Sequence, residues 1–214
     1  MLLAKERQEV VTYCQKMLHS KLTSSTGGNI SIYNSDSGLV AISPSGMAYD
    51  ELTPEDIVVI DLEGHVVEGL RTPSSEWRMH LKNYTDRQDI FAVVHTHSTY
   101  SSTLATLGWE LPAANYYIAI AGGENVRCAK YGSYGEADLA ENAFRAMTDR
   151  FACFLANHGL LAAGVDIASA YLVAVEIERC AEVYWRASVL GKPLLLPTEE
   201  VDFMVRKFRN YGQA

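Results

Sequence analysis

Apolar residues at helical spacing open the chain. Leu3, Val10, Val11, Cys14, Met17 and Leu18 share one face, so residues 3–20 read as an amphipathic helix. A loop of small hydroxyl and glycine residues follows, Thr23-Ser24-Ser25-Thr26-Gly27-Gly28-Asn29. Short apolar runs at 30–33 and 39–42 predict two strands, and Ser43-Pro44-Ser45-Gly46 predicts a tight turn. Thr53 with Pro54 behind it marks a helix start. It has room for only one turn, because the β-branched run 57–61 is a strand. Residues 61–65 form a polar turn centred on Gly64, and a short strand ends near Val67.

Ser74 then starts a helix to about Asp86 that presents Trp77, His80 and Leu81 on one face. The run Phe91-Ala92-Val93-Val94-His95-Thr96-His97 predicts a buried strand, followed by a helix near 98–107. Residues 111–121, small and aromatic, read as another strand. A helix over 137–150 precedes a strand over 151–157, and residues 167–189 form the longest helix. Thr198-Glu199-Glu200 caps a final helix, its acids placed at the positive end. Early hairpins and later helices around a sheet predict an α/β fold: one three-layer α/β/α domain over 1–214 with a largely antiparallel central sheet.

Composition narrows the partners. The 214 residues are 48% hydrophobic, enough for one substantial core. The net charge is −8 and there is no basic run, which argues against nucleic acid and anionic membranes. The first residues turn charged too early for a signal peptide, and no apolar stretch approaches the ~20 residues of a membrane span. Four scattered cysteines without C-x-x-C spacing fit reduced thiols in the cytoplasm.

The chemistry gathers at strand ends. Residues two apart on a strand face the same way, so His95 and His97 leave the sheet together. His158, between an apolar run and Gly159, occupies another strand end. Three such imidazoles would make a metal site with an open position; the plainer reading is hydrogen-bonded strand histidines, and the residues alone leave both open. His19 and His65 read as solvated, and His80 as a packing residue. Ser74 and Ser75 at a helix start, Thr26 to Asn29, and Ser45-Gly46 are three loops able to turn N–H and hydroxyl donors to a phosphate. Plain capping by Ser74 is the simpler account of the first. Glu76, beside that cradle, reads as a proton-transfer group or as an acid stabilised by the helix dipole.

Five motifs, Gly28-Asn29-Ile30-Ser31, Ser43-Pro44-Ser45-Gly46, Ser74-Ser75-Glu76, His95-Thr96-His97 and Asn157-His158-Gly159, occur in the order and spacing of the class II aldolase/adducin family, which the chain resembles over nearly its whole length. The resemblance is strongest to members acting on L-fuculose 1-phosphate. It implies a lyase with one Zn2+ per subunit that reversibly splits this or a similar ketose 1-phosphate into dihydroxyacetone phosphate and L-lactaldehyde. It also implies a homotetramer with active sites between subunits. Carried onto this chain, it makes His95, His97 and His158 the zinc ligands, and Glu76 the acid/base group and a possible fourth ligand. Asn29, Ser45, Gly46, Ser74 and Ser75 fall on phosphate-binding positions, with Thr26 and Gly28 in the same loop. Tyr116 falls on a tyrosine that serves the aldehyde oxygen of a neighbouring subunit, and Tyr211 on one that covers the site. Tyr134 stands where the resembled enzymes carry phenylalanine, which bears on aldehyde specificity. A pentulose 5-phosphate 4-epimerase is the nearest rival; Ala113-Ala114-Asn115-Tyr116-Tyr117 stands where epimerases carry an extra His-Ala pair. A non-catalytic adducin-like module is the alternative of another class, and such modules have lost the metal histidines that this chain keeps.

Overall fold

Strand β5 (Ala92–Thr96) runs through the middle of a nine-stranded sheet, and both of its faces are buried. In the computed structural model, which describes residues 1–208, its companions are β1 (Asn29–Asn34), β2 (Leu39–Ile42), β3 (Val58–Ile60), β4 (Val66–Glu68), β6 (Leu111–Pro112), β7 (Asn125–Ala129), β8 (Ala152–Leu155) and β9 (Gly159–Gly164). The order is β4-β3-β2-β1-β5-β9-β8-β7-β6. Each neighbouring pair is antiparallel except β7 and β8. That parallel pair needs a crossover, which helix α4 (Ala137–Ala146) supplies.

Strand alternation sorts the side chains into two cores. Ile30, Ile32, Ala92, Val94, Leu160 and Ala162 face one layer, made of α1 (Ala4–His19), α3 (Thr99–Thr106), α5 (Ile167–Leu190) and α6 (Thr198–Phe208). Val93, Leu161 and Ala163 face the other, made of α2 (Trp77–Asp86) and α4. The expected three-layer arrangement is therefore present. Each fully buried Leu, Ile or Val contributes about 1.5–3 kcal/mol, which holds the central strands rigid. The same alternation turns Asn29, Ser31 and His95 toward α2.

Two expectations need correction. Residues 111–121 are not one strand: only Leu111–Pro112 pairs, and Tyr116–Ala121 is a 3-10 helix. The Asn115 side chain accepts the Tyr117 N–H at 3.0 Å and starts that helix, a local bond that competes with strand pairing. Helix α2 begins at Trp77 rather than Ser74. Ser74 donates its N–H to the Ser43 carbonyl and Pro73 bridges Pro44, so Ser74 is docked against the Ser43 turn, while Ser75 and Glu76 form a turn, closed by the Trp77 N–H on the Ser74 carbonyl, that leads into α2. Strands β7 and β9 carry no clear alternation; β9, Gly159-Leu160-Leu161-Ala162-Ala163-Gly164, is an apolar run buried on both faces.

Among the described residues, no helix is long and apolar enough to cross a membrane.

Candidate metal centre and anion cleft

His95 and Asn29 are cross-strand partners on β5 and β1, so their side chains leave the sheet side by side. His97 follows one residue beyond β5. His158 reaches the same place from the turn between β8 and β9, where Leu155 pairs with Gly159. The turn is tight because Asn157 adopts a φ of 56°, a left-handed conformation that asparagine tolerates better than most residues. Gly28, with a φ of 74°, lets β1 run close to β5; a Cβ there would collide with the His95 carbonyl oxygen.

The three rings converge through Nε2. The separations are 2.9 Å for His95–His97, 3.1 Å for His97–His158 and 3.2 Å for His95–His158. Burial holds His95 well below the ordinary imidazole range, helped by His158 and His97, and burial lowers His97 as well. Both rings are therefore neutral near pH 7. His95 donates its Nδ1–H to the Leu160 carbonyl at 2.9 Å, which leaves a bare lone pair on Nε2.

Glu76 completes the cluster. It occupies the cap position of α2, yet its carboxylate makes no cap bond and turns inward instead. Oε2 accepts the Asn29 Nδ2–H at 2.9 Å and stands 3.3 Å from His95 Nε2. Oε1 is buried and has no hydrogen-bond partner among the described residues, although it lies 3.4 Å from His158 Nε2. An orphaned carboxylate oxygen facing three imidazole nitrogens fits a cation. Metal–nitrogen bonds of about 2.0–2.1 Å in a tetrahedron give ligand edges of about 3.3 Å, close to the separations seen. Of the clusters able to hold a metal among the described residues, the other, Asp61, Glu63 and His65, is a solvated turn.

A cleft of about 360 Å³ opens beside the cluster. Thr26, Gly28, Asn29, Ser45, Gly46, Ser74 and Ser75 all line it, with Glu76, His97 and His158. The three loops thus meet, although Ser74 and Ser75 contribute from the turn just ahead of α2 rather than from within the helix. Ser74 Oγ accepts the Glu76 N–H at 3.3 Å, the local capping that its position suggests. Tyr131, Gly132 and Tyr134 line it as well. Tyr116 does not reach the cleft: it lies on the 3-10 helix, 45% exposed, against Tyr117 and Phe208. Tyr211 lies outside the described residues.

Sequence reasoning undervalued two residues. His80 is fully buried and holds Asn29, a contact that side-chain spacing on one helix could not reveal. Tyr49 donates to the Gly28 carbonyl at 2.5 Å and, with Thr23 on the Gly27 carbonyl at 2.6 Å, pins the loop under the cleft. Burial pushes the Tyr49 phenol up, so it stays a donor.

Residues 8–185 match the family described as Class II Aldolase and Adducin N-terminal domain. The chain is 55% identical over 213 residues to a 5-deoxy-D-ribulose 1-phosphate aldolase of Bacillus thuringiensis serovar kurstaki, covering 100% of both chains. It is 36% identical over 206 residues to the L-fuculose phosphate aldolase of Escherichia coli K12, covering 96% of this chain and 94% of that one. A solved L-fuculose 1-phosphate aldolase superposes with a TM-score of 0.95 at 45% identity, covering 98% of each chain.

Proposed function

The chain belongs to the class II aldolase and adducin family and is an aldolase, and from that premise we propose that it reversibly cleaves a 5-deoxypentulose 1-phosphate into dihydroxyacetone phosphate and acetaldehyde. L-Fuculose 1-phosphate, which yields L-lactaldehyde, is the second substrate. The order follows from similarity: a relative named for the deoxypentulose phosphate is 55% identical over the full length, against 36% for one named for fuculose phosphate. The reading rests above all on one observation: Glu76 and three imidazoles converge at the wall of a cleft lined by donors from three loops.

His95, His97 and His158 would hold one divalent cation, with Glu76 as a fourth ligand only until substrate binds and frees its carboxylate for proton transfer; three imidazoles with a carboxylate suit zinc. Such a cation supplies Lewis-acid stabilisation of the negative charge that builds up on the three-carbon fragment. The remaining work falls to this chain's residues. Asn29, Ser45, Ser74 and Ser75, with the Thr26–Gly28 loop and Gly46, bind the phosphate and orient the carbon–carbon bond. Glu76 returns a proton to the carbon freed by cleavage and removes it in the condensation direction. Tyr116 takes the hydroxyl proton as the aldehyde forms. Because Tyr116 lies outside its own cleft, it acts in that of a neighbouring copy, in keeping with a homotetramer. Free cysteines, three of them buried, suit work in the cytoplasm.

The test is a panel of 5-deoxyribulose 1-phosphate, L-fuculose 1-phosphate and ribulose 5-phosphate, followed for dihydroxyacetone phosphate. Release with the highest kcat/KM on the deoxypentulose phosphate is expected. A 4-epimer formed without triose phosphate would overturn the reading.

A further inference from the structure

Glu76 ends a buried hydrogen-bond chain that the chemistry above does not use. Its Oε2 accepts from Asn29 Nδ2 at 2.9 Å, Asn29 Oδ1 lies 2.5 Å from His80 Nε2, His80 Nδ1 lies 2.6 Å from Ser31 Oγ, and Ser31 Oγ lies 2.6 Å from Tyr84 OH. Asn29, Ser31, His80 and Tyr84 are all buried.

Donor and acceptor roles follow in one direction. A carboxylate accepts only, so the Asn29 amide must turn its NH2 to Glu76 and its oxygen to His80. That oxygen demands a proton on His80 Nε2. Burial drives His80 down to about 3, so the ring is neutral and Nδ1 carries a lone pair. Ser31 then donates its hydroxyl proton to Nδ1, and the Tyr84 phenol beside it donates to the Ser31 carbonyl at 3.0 Å.

Resting on the aldolase reading, we infer that His80 is a positioning residue that locks the Asn29 amide, so that Glu76 is always bonded at Oε2 and carries its catalytic proton on Oε1. The reason lies in the protonation cycle. While Glu76 is ionised it selects the amide orientation by itself. Once Glu76 takes a proton, a flipped amide could accept from it at Oε2 and trap the acid form. The Nε2–H of His80 opposes that flip, because a flipped amide would set N–H against N–H. Oε1, the oxygen without a partner, faces the histidine cluster and is left as the one that exchanges the proton.

Two substitutions separate positioning from packing. His80→Gln can return a donor near Nε2, whereas His80→Asn can reach only toward Ser31. The proton step alone is read by deuterium exchange into dihydroxyacetone phosphate in D2O, beside the kcat and KM of cleavage, the zinc dissociation constant and 15N resonances of the histidines. In the wild type, His80 should show a protonated Nε2 and a bare Nδ1. H80N should lose about 10–100-fold in exchange rate and kcat, with KM and zinc affinity within about threefold, and H80Q should recover most of that loss. A wild type that neither cleaves nor exchanges defeats the functional reading, and the nitrogen resonances then decide the lock alone: a proton on Nδ1 overturns it. An active wild type whose H80N variant exchanges at full rate, or whose H80Q variant fares no better than H80N at equal folding, overturns the role of His80.

Discussion

Asn29 and His95 stand opposite each other across β1 and β5, which joins the anion cleft to the histidine cluster through a single rung of the sheet. Asn29 lines the cleft and donates to Glu76; His95 points its bare Nε2 at the same carboxylate. The proposed phosphate contacts and the proposed proton-transfer group therefore belong to one unit, carried by the central strands β1 and β5.

Removal of metal is the first consequence. Dialysis against a chelator should abolish triose phosphate release, and zinc should restore it. His158→Ala should lower zinc content to well below one per chain while the sheet survives, because His158 sits on a turn. Elemental analysis and circular dichroism check the two halves.

Glu76→Gln keeps the shape and the Asn29 contact but cannot move a proton. A fall in kcat of roughly 10²–10⁴-fold is expected for the loss of a general acid–base group, with zinc still bound. Steady-state kinetics on the metal-loaded variant measures it, and unchanged turnover would remove Glu76 from its role.

The cleft predicts a different kinetic signature. Ser75 is exposed at its mouth, so Ser75→Ala should spare folding and remove one donor to a charged phosphate, worth about 1.5–3 kcal/mol. KM should rise by about tenfold or more with kcat little changed, since uniform binding is what is lost. Unaltered KM would take Ser75 out of the cradle.

His80 predicts a pH dependence of stability. Its pKa falls from the usual 6.5 to about 3 on folding because of burial. The unfolded chain therefore binds a proton that the folded chain refuses between those values, and stability declines as pH drops from 6.5 toward 3. The decline from this group is about 2 kcal/mol between pH 6.5 and pH 5, or roughly 4–8 °C in melting temperature. Thermal melts of metal-free protein should show a shallower slope in H80Q than in the wild type; equal slopes would mean that His80 is protonated in the fold.

Much of this was legible in the chain. The short apolar runs of β1 and β5, the helical spacing of α1, and His95 and His97 on one side of a strand are local consequences of backbone geometry, which a linear pattern records. So is the Thr53 turn, whose capping box forms as its residue types require. Local rules failed where another bond, near or distant, competed for the same backbone. Ser74 is tied to Ser43 beside the Pro44–Pro73 bridge, and α2 begins three residues later, at Trp77. The strand expected over 111–121 gave way to a 3-10 helix once Asn115 bonded its own neighbour. No sequence spacing relates His158 to His95, 63 residues apart, or His80 to Asn29. Their meeting depends on the strand order, which sets β9 against β5 and α2 over β1. Residue types thus determined which chemistry the protein can perform, because donors, lone pairs and charges belong to side chains. Tertiary structure decided which of those groups act together, because burial removes water and leaves each one only the partners that the fold places within reach.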